Sequence, residues 1–155
     1  MAKLRWGLIG TARINRAIIG ALRESTRGEL CAVASRTAGT AISYAAEWKI
    51  PSAVSPYQAL LERNDIDAVY IGLPNSMHVE WSVRALEAGK HVLCEKPLAL
   101  TPEGVDEIAR AAARSRRIAA EGFMYRHHPL TRAVIDVVNS GQLGPVRLIK
   151  GAFTF

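Results

Sequence analysis

Short runs of consecutive apolar residues alternate along this chain with stretches whose apolar residues recur every three or four positions. Leu4-Arg5-Trp6-Gly7-Leu8-Ile9 reads as a strand. After it Ile14, Ala17, Ile18, Ala21 and Leu22 share one helical face. Leu30 to Ala34 predicts a second strand, and residues 40–49 a helix with Ala41, Ala45 and Trp48 on one side. Ser55-Pro56 has the form of an N-cap and a first-turn proline, opening a short helix through Leu61. Ile66 to Ile71 is the next strand, stopped by Pro74. Asn75 or Ser76 then caps a helix carrying Val79, Val83 and Leu86, and Gly89 ends it. Val92 to Cys94, a helix opened by Thr101-Pro102-Glu103, and Ile118 to Ala120 complete the series. Strands that are apolar throughout, separated by one-faced helices, are what a parallel sheet covered on both sides requires. The fold class expected is therefore α/β, a doubly wound parallel sheet over residues 1–124.

The pattern changes after residue 124. Pro129 to Asn139 reads as a helix, and Gly144 to Phe155 as one long strand with Ile149, Phe153 and Phe155 on a face. Such a strand needs a partner for its open edge. It could pair with the domain edge, with another chain, or with a sheet whose remainder is cut away, and the last is favoured. Residues 125–155 are then the first helix and strand of an incomplete second domain.

Composition narrows the function. At 155 residues, 49% hydrophobic and 22% charged, the chain is ordinary globular material. It has no apolar run long enough to span a bilayer and no signal-peptide layout, so no membrane role is expected. The net charge of +6 is scattered. Its densest group, Arg110, Arg114, Arg116 and Arg117, ends a predicted helix without interleaved aromatics, which argues against nucleic acid. An anionic small molecule accounts for the excess equally well. Cys31 and Cys94 lie inside apolar strands and form no CxxC pair, the usage of reduced, buried thiols in a cytoplasmic protein. His127-His128 has no ligand-spaced partner, so no metal site is expected.

Two junctions carry candidate chemistry. The first strand runs through Gly7 and Gly10-Thr11-Ala12-Arg13-Ile14-Asn15 into a helix. A dinucleotide fingerprint places G-x-G-x-x-G there, for the turn, for pyrophosphate approach and for helix–strand packing. Gly10 keeps the first place. Ala12, in the second, is small enough to admit phosphate to the helix N-terminus. Asn15, in the third, departs from the pattern and should loosen the packing. Any tight strand-to-helix turn may use glycine, so the context rather than the glycine carries the signal. At the end of strand two, where NAD enzymes place an acid for the ribose hydroxyls, stand Ser35, Arg36 and Thr37. A guanidinium between two hydroxyls suits a 2′-phosphate. A solvated loop arginine is the alternative. The position favours NADP, with NAD left open.

Taken together, Gly7-x-x-Gly10-x-Ala12, Ser35-Arg36, Leu73-Pro74-Asn75-Ser76-Met77-His78, Glu95-Lys96-Pro97 and Gly122-Phe123-Met124-Tyr125-Arg126 resemble the glucose–fructose oxidoreductase/inositol dehydrogenase (Gfo/Idh/MocA) family. The resemblance covers essentially the whole chain and is strongest to the dihydrodiol and D-xylose dehydrogenase branch. It implies a Rossmann NAD(P)-binding domain followed by the start of an α+β domain that builds the substrate pocket and the usual dimer interface. It also implies a dehydrogenase acting on a sugar or polyol, a homo-oligomer when the second domain is present, and a second proton-transfer residue in that domain. Leu73, Pro74, Asn75 and His78 would line the nicotinamide-ribose side, with Glu95 and Lys96 where nicotinamide meets substrate. Asn75 is compatible with a capping role, and His78 alone could be a first-turn residue facing water.

Lys96 has a use of its own. An ammonium beside a substrate hydroxyl stabilises the alkoxide that forms as hydride leaves carbon, or polarises a carbonyl in reverse. Pro97 restricts the backbone at Lys96 to extended conformations, and Glu95 is placed to hold the amine. A strand-end lysine reaching solvent is the ordinary alternative. A chain with only this half of a site is expected to be inactive alone; a non-catalytic NADP(H)-binding module or sensor is the competing reading. Asp65 and Asp67 are read as turn and strand-edge carboxylates, remote from the site.

Overall fold

The computed structural model describes residues 2–152 and 154. Two compact units divide the chain, one over residues 1–122 and one over 123–155. In the first, six strands lie in one sheet: β1 (Leu4–Ile9), β2 (Gly28–Ala34), β3 (Ser52–Val54), β4 (Ala68–Ile71), β5 (His91–Cys94) and β6 (Ala119–Glu121). Every pairing is parallel, and the order is β3-β2-β1-β4-β5-β6. The chain thus works outward from β1 in one direction and then, from β4, in the other. Loops after β1 and β4 meet at the reversal, the place where open α/β sheets hold ligands.

Five helices connect these strands: α1 (Asn15–Glu24), α2 (Ala38–Glu47), α3 (Tyr57–Leu61), α4 (His78–Glu87) and α5 (Pro102–Ser115). Alternation along each strand splits the core in two. Leu8, Val33 and Tyr70 pack with Ile19 of α1 and Ala45 of α2. Ile9, Ala34, Val69, Ile71, Val92 and Cys94 face the other way, with Leu60, Leu86 and Ile108. Burying a side chain of this size contributes about 1.5–3 kcal/mol, so both faces are firmly held.

The second unit contains α6 (Pro129–Asn139), preceded by a 3-10 turn at Met124–His127. His128 Nδ1 accepts from Leu130 N and caps this helix, which gives one histidine of the pair a local role. The long strand expected from Gly144 onward is not found. Residues 145–152 are irregular and exposed, with no ladder partner among the described residues, and a strand without a partner has nowhere to place its backbone hydrogen bonds. Phe153 and Phe155, part of that expectation, lie outside the described residues.

Two capping expectations also need correction. Ser55 does not cap α3: its hydroxyl donates to the Arg36 carbonyl at 3.2 Å, and Pro56 occupies the cap position with no side chain to offer. Neither Asn75 nor Ser76 caps α4 through its side chain; residues Asn75–Met77 form a 3-10 turn that leads straight into the helix. Thr101 behaves as expected, accepting from Gly104 N at 3.3 Å. No helix among the described residues is long and apolar enough to cross a membrane.

Candidate active site

The turn after β1 is shaped by Gly10, whose φ of +97° lies in the region that favours glycine. A Cβ there would also sit 2.9 Å from Leu73 Cδ2, so the turn rests directly on the loop after β4. α1 begins with no side-chain cap and no acidic residue in its first turn. The amides of Thr11, Ala12, Arg13 and Ile14 have no acceptor among the described residues. Unpaired N–H groups at a helix start favour an anion. Thr11 and Ala12 are half-buried, and Arg13 and Ile14 are exposed beside them.

Asn15, the residue that departs from the glycine fingerprint, does not loosen this junction. It is wholly buried, and Nδ2 donates to the Gly10 carbonyl at 2.8 Å. Room for it comes from the facing strand end: a Cβ on Gly72 would fall 2.6 Å from Asn15 Oδ1. The small residue needed for close packing stands on the strand side instead of the helix side. Oδ1 itself is buried without a hydrogen-bond partner.

After β2, Ser35 is buried and its amide donates to the Val54 carbonyl. Arg36 is exposed and makes no ion pair among the described residues. The Thr37 side chain accepts from Thr40 N and so caps α2, which leaves the guanidinium as the free group of the trio. Ser55, by donating to the Arg36 carbonyl, fixes the backbone from which that guanidinium projects.

Leu73 is buried, whereas Pro74 and Asn75 are exposed at the reversal point. His78 lies beneath them. It has no exposed surface, where the resemblance placed it on the nicotinamide-ribose side. Its Nδ1 is 2.8 Å from the Pro97 carbonyl oxygen and its Nε2 2.8 Å from that of Leu73. A neutral ring donates to one of these and a doubly protonated ring to both. Either way the ring joins the loop after β4 to the loop after β5.

Glu95 is half-buried and Lys96 exposed at the carboxyl end of β5. Glu95 does not hold the amine. Oε1 accepts from the Tyr70 hydroxyl at 2.5 Å, and Oε2 from the Lys96 backbone amide at 3.3 Å. Lys96 makes no ion pair among the described residues. The Leu98 amide donates to Glu121 Oε1 at 2.9 Å, and the Gly122 amide to the Cys94 carbonyl at 2.7 Å. Tyr70 and Glu121 are supports that sequence reasoning missed. Tyr70 reads as one more apolar strand residue, and only the polar tip of a buried tyrosine hints at a partner.

Other polar groups sit elsewhere. Asp67 pairs with Arg5 at 2.7 Å and Asp65 with Arg63 at 2.6 Å, at the opposite edge of the sheet. The hydrogen bonds from those guanidinium groups hold both carboxyls down to about 2. Burial pushes the Cys94 thiol up to about 12, so it is an unreactive core residue. A hollow of about 820 Å³ opens at the amino ends of the strands, lined by Trp6, Leu22, Arg27 and Asp67, far from the lysine in the sheet's own direction.

A family model described as an oxidoreductase family with an NAD-binding Rossmann fold, Gfo/Idh/MocA, matches residues 4–123. The chain belongs to that family. It is 43% identical, over 97% of its length, to a dTDP-3,4-didehydro-2,6-dideoxy-alpha-D-glucose 3-reductase of Streptomyces violaceoruber, of which it covers 44%. It is 39% identical to the NADP(+) D-xylose 1-dehydrogenase 2 of Haloferax volcanii, over 98% of this chain and 46% of that one. A 3-ketoreductase from Actinomadura kijaniata, solved in complex with NADP, superposes with a TM-score of 0.84 at 40% identity, over 92% of this chain and 46% of that one. This member of the Gfo/Idh/MocA family therefore spans a little under half the length of such relatives. Sequence reading named the xylose dehydrogenase branch but not the sugar-nucleotide reductases that stand beside it.

Proposed function

We propose that this chain supplies the cofactor-binding part of an NADP-dependent oxidoreductase that interconverts a secondary alcohol and its carbonyl, on a sugar or polyol. The observation that carries the reading is Lys96, an exposed ammonium without a counter-ion among the described residues, delivered by β5 to the carboxyl edge beside the reversal point. The residues present fit a dinucleotide. Gly10 opens the turn, the amides of Thr11 to Ile14 are free for a pyrophosphate, and Pro74 and Asn75 border the next loop. Arg36, past the end of β2, is free for a 2′-phosphate.

Nicotinamide bound there would supply or accept the hydride. Lys96 would donate a hydrogen bond to the reacting oxygen, lowering the cost of negative charge on it. Its backbone is held by the loop contacts, so the ammonium is the group left to meet substrate. The relatives that act on sugars and sugar nucleotides support the substrate class.

Fluorescence titration of NADPH and NADH, with the wild-type chain and Arg36→Ala, tests the proposal. NADPH should bind more tightly to the wild type. Loss of Arg36 should weaken NADPH by about tenfold or more, the worth of a charge-assisted contact, and NADH much less. Equal losses for the two cofactors would remove the selector, and no binding of either would remove the reading.

A further inference from the structure

We propose that Tyr70 is a positioning residue for the Glu95-Lys96 pair: by holding the Glu95 carboxylate it keeps Lys96 free of an internal counter-ion. This rests on the reading of Lys96 given above. Tyr70 lies in the middle of the sheet, 1% exposed, with its ring in the cluster under α1 and α2. Its hydroxyl reaches from β4 to the adjoining β5 loop and donates to Glu95 Oε1 at 2.5 Å. An O–H to carboxylate bond of this length is of the strong, charge-assisted kind. Burial first, and then the bond to Glu95, push the phenol well above its ordinary value, so Tyr70 is a neutral donor near neutral pH.

The geometry on the far side matters as much. Gly122 passes beside the same oxygen: a Cβ there would be 3.5 Å from Glu95 Oε1. Oε2 faces the Lys96 backbone amide, not its side chain. Adjacent Glu and Lys side chains would otherwise be free to find each other. With one oxygen tied to the sheet interior, the carboxylate is turned under the loop and the ammonium is left outside. Tyr70 touches neither cofactor nor substrate in this scheme. It acts only through Glu95.

That dependence can be measured. Tyr70→Phe keeps the ring and removes the donor, and it should slow labelling of Lys96 by an amine-reactive reagent, followed by peptide mass spectrometry, roughly two- to fivefold as the carboxylate turns to the ammonium, with NADPH affinity nearly unchanged. In a Glu95→Gln background the same change should alter the labelling little, because the group it positions is gone. Equal slowing in both backgrounds would overturn the proposal, as would wild-type labelling in Tyr70→Phe. A second measurement uses ring-labelled tyrosine followed by NMR at neutral pH. The ring resonance next to the Tyr70 hydroxyl should move in Glu95→Gln relative to the wild type, and an unchanged resonance would show that the hydrogen bond is absent. A wild-type chain that bound no NADPH would defeat the nucleotide reading instead, and the tyrosine resonance would then decide alone whether Tyr70 holds Glu95.

Discussion

Gly72→Ala tests how this chain manages without the third glycine of the fingerprint. The added Cβ falls 2.6 Å from Asn15 Oδ1, 3.4 Å from Tyr70 Cε1 and 3.6 Å from Ala12 Cβ. The last two are tolerable, but the first is not, and Asn15 cannot simply swing away. Its side chain is fully buried, and Nδ2 is tied to the Gly10 carbonyl at 2.8 Å. Either that bond breaks, at about 1 kcal/mol net, or the helix start moves, and inserted methyls of this kind cost about 1–3 kcal/mol. We expect a loss of about 2 kcal/mol in urea denaturation, with a fall in melting temperature of roughly 5–10 °C. NADPH should bind more weakly as well, because Asn15 anchors the turn proposed to take the phosphates. Asn15→Gly removes the obstacle. In that background Gly72→Ala should be nearly neutral, a coupling of about 1–2 kcal/mol. Equal losses from Gly72→Ala with and without Asn15 would refute the exchange of roles between the two positions.

Lys96→Ala should leave NADPH affinity of this chain nearly unchanged in the same titration, and a collapse of binding would make Lys96 a cofactor residue only. His78→Leu leaves at least one carbonyl oxygen of the site loops short of a donor and should cost about 1–3 kcal/mol, read by urea denaturation; a loss below about 0.5 kcal/mol, the scatter of neutral changes, would show that the ring contacts are idle. Asp65 and Asp67 have folded pKa values depressed to about 2. Their contribution is therefore present above the unfolded value near 3.9 and is lost as pH falls from there through about 2. Stability measured from pH 5 to pH 2 should drop less steeply in Asp67→Asn than in the wild type, by an amount kept small by solvent.

Much of the cofactor domain was legible because its rules are local. Leu8, Ile9, Val33 and Ile71 sit in runs too apolar for anything but a sheet covered on both faces. Thr101 capped its helix as its spacing predicted. What failed was long-range. Ser55 looks like a helix cap until a loop remote in sequence offers it the Arg36 carbonyl. β3 is three residues long, next to Pro51, and exists because β2 has an open edge to pair with. His78 reads as a ligand-facing motif residue, yet it is roofed over by Leu73 and Pro97. The stretch after Gly144 has strand composition, but composition cannot supply a partner.

The loop that ends β5 shows why a short charged motif can follow an apolar strand. Three polar groups of the loop find partners elsewhere in the domain: Glu95 in Tyr70, the Pro97 carbonyl at the His78 ring, and the Leu98 amide in Glu121. Tyr70, His78 and Glu121 come from three different elements, β4, α4 and β6, so the loop is fixed by the sheet as a whole and not by its own turn. The Lys96 ammonium has no ion-pair partner among the described residues. Catalytic groups held this way gain from pre-organisation, since no rearrangement is needed as charge develops. By the same reasoning a change in any of the three supports should act on the reaction through Lys96 geometry, with little effect on how the phosphates are held at the far end of the site.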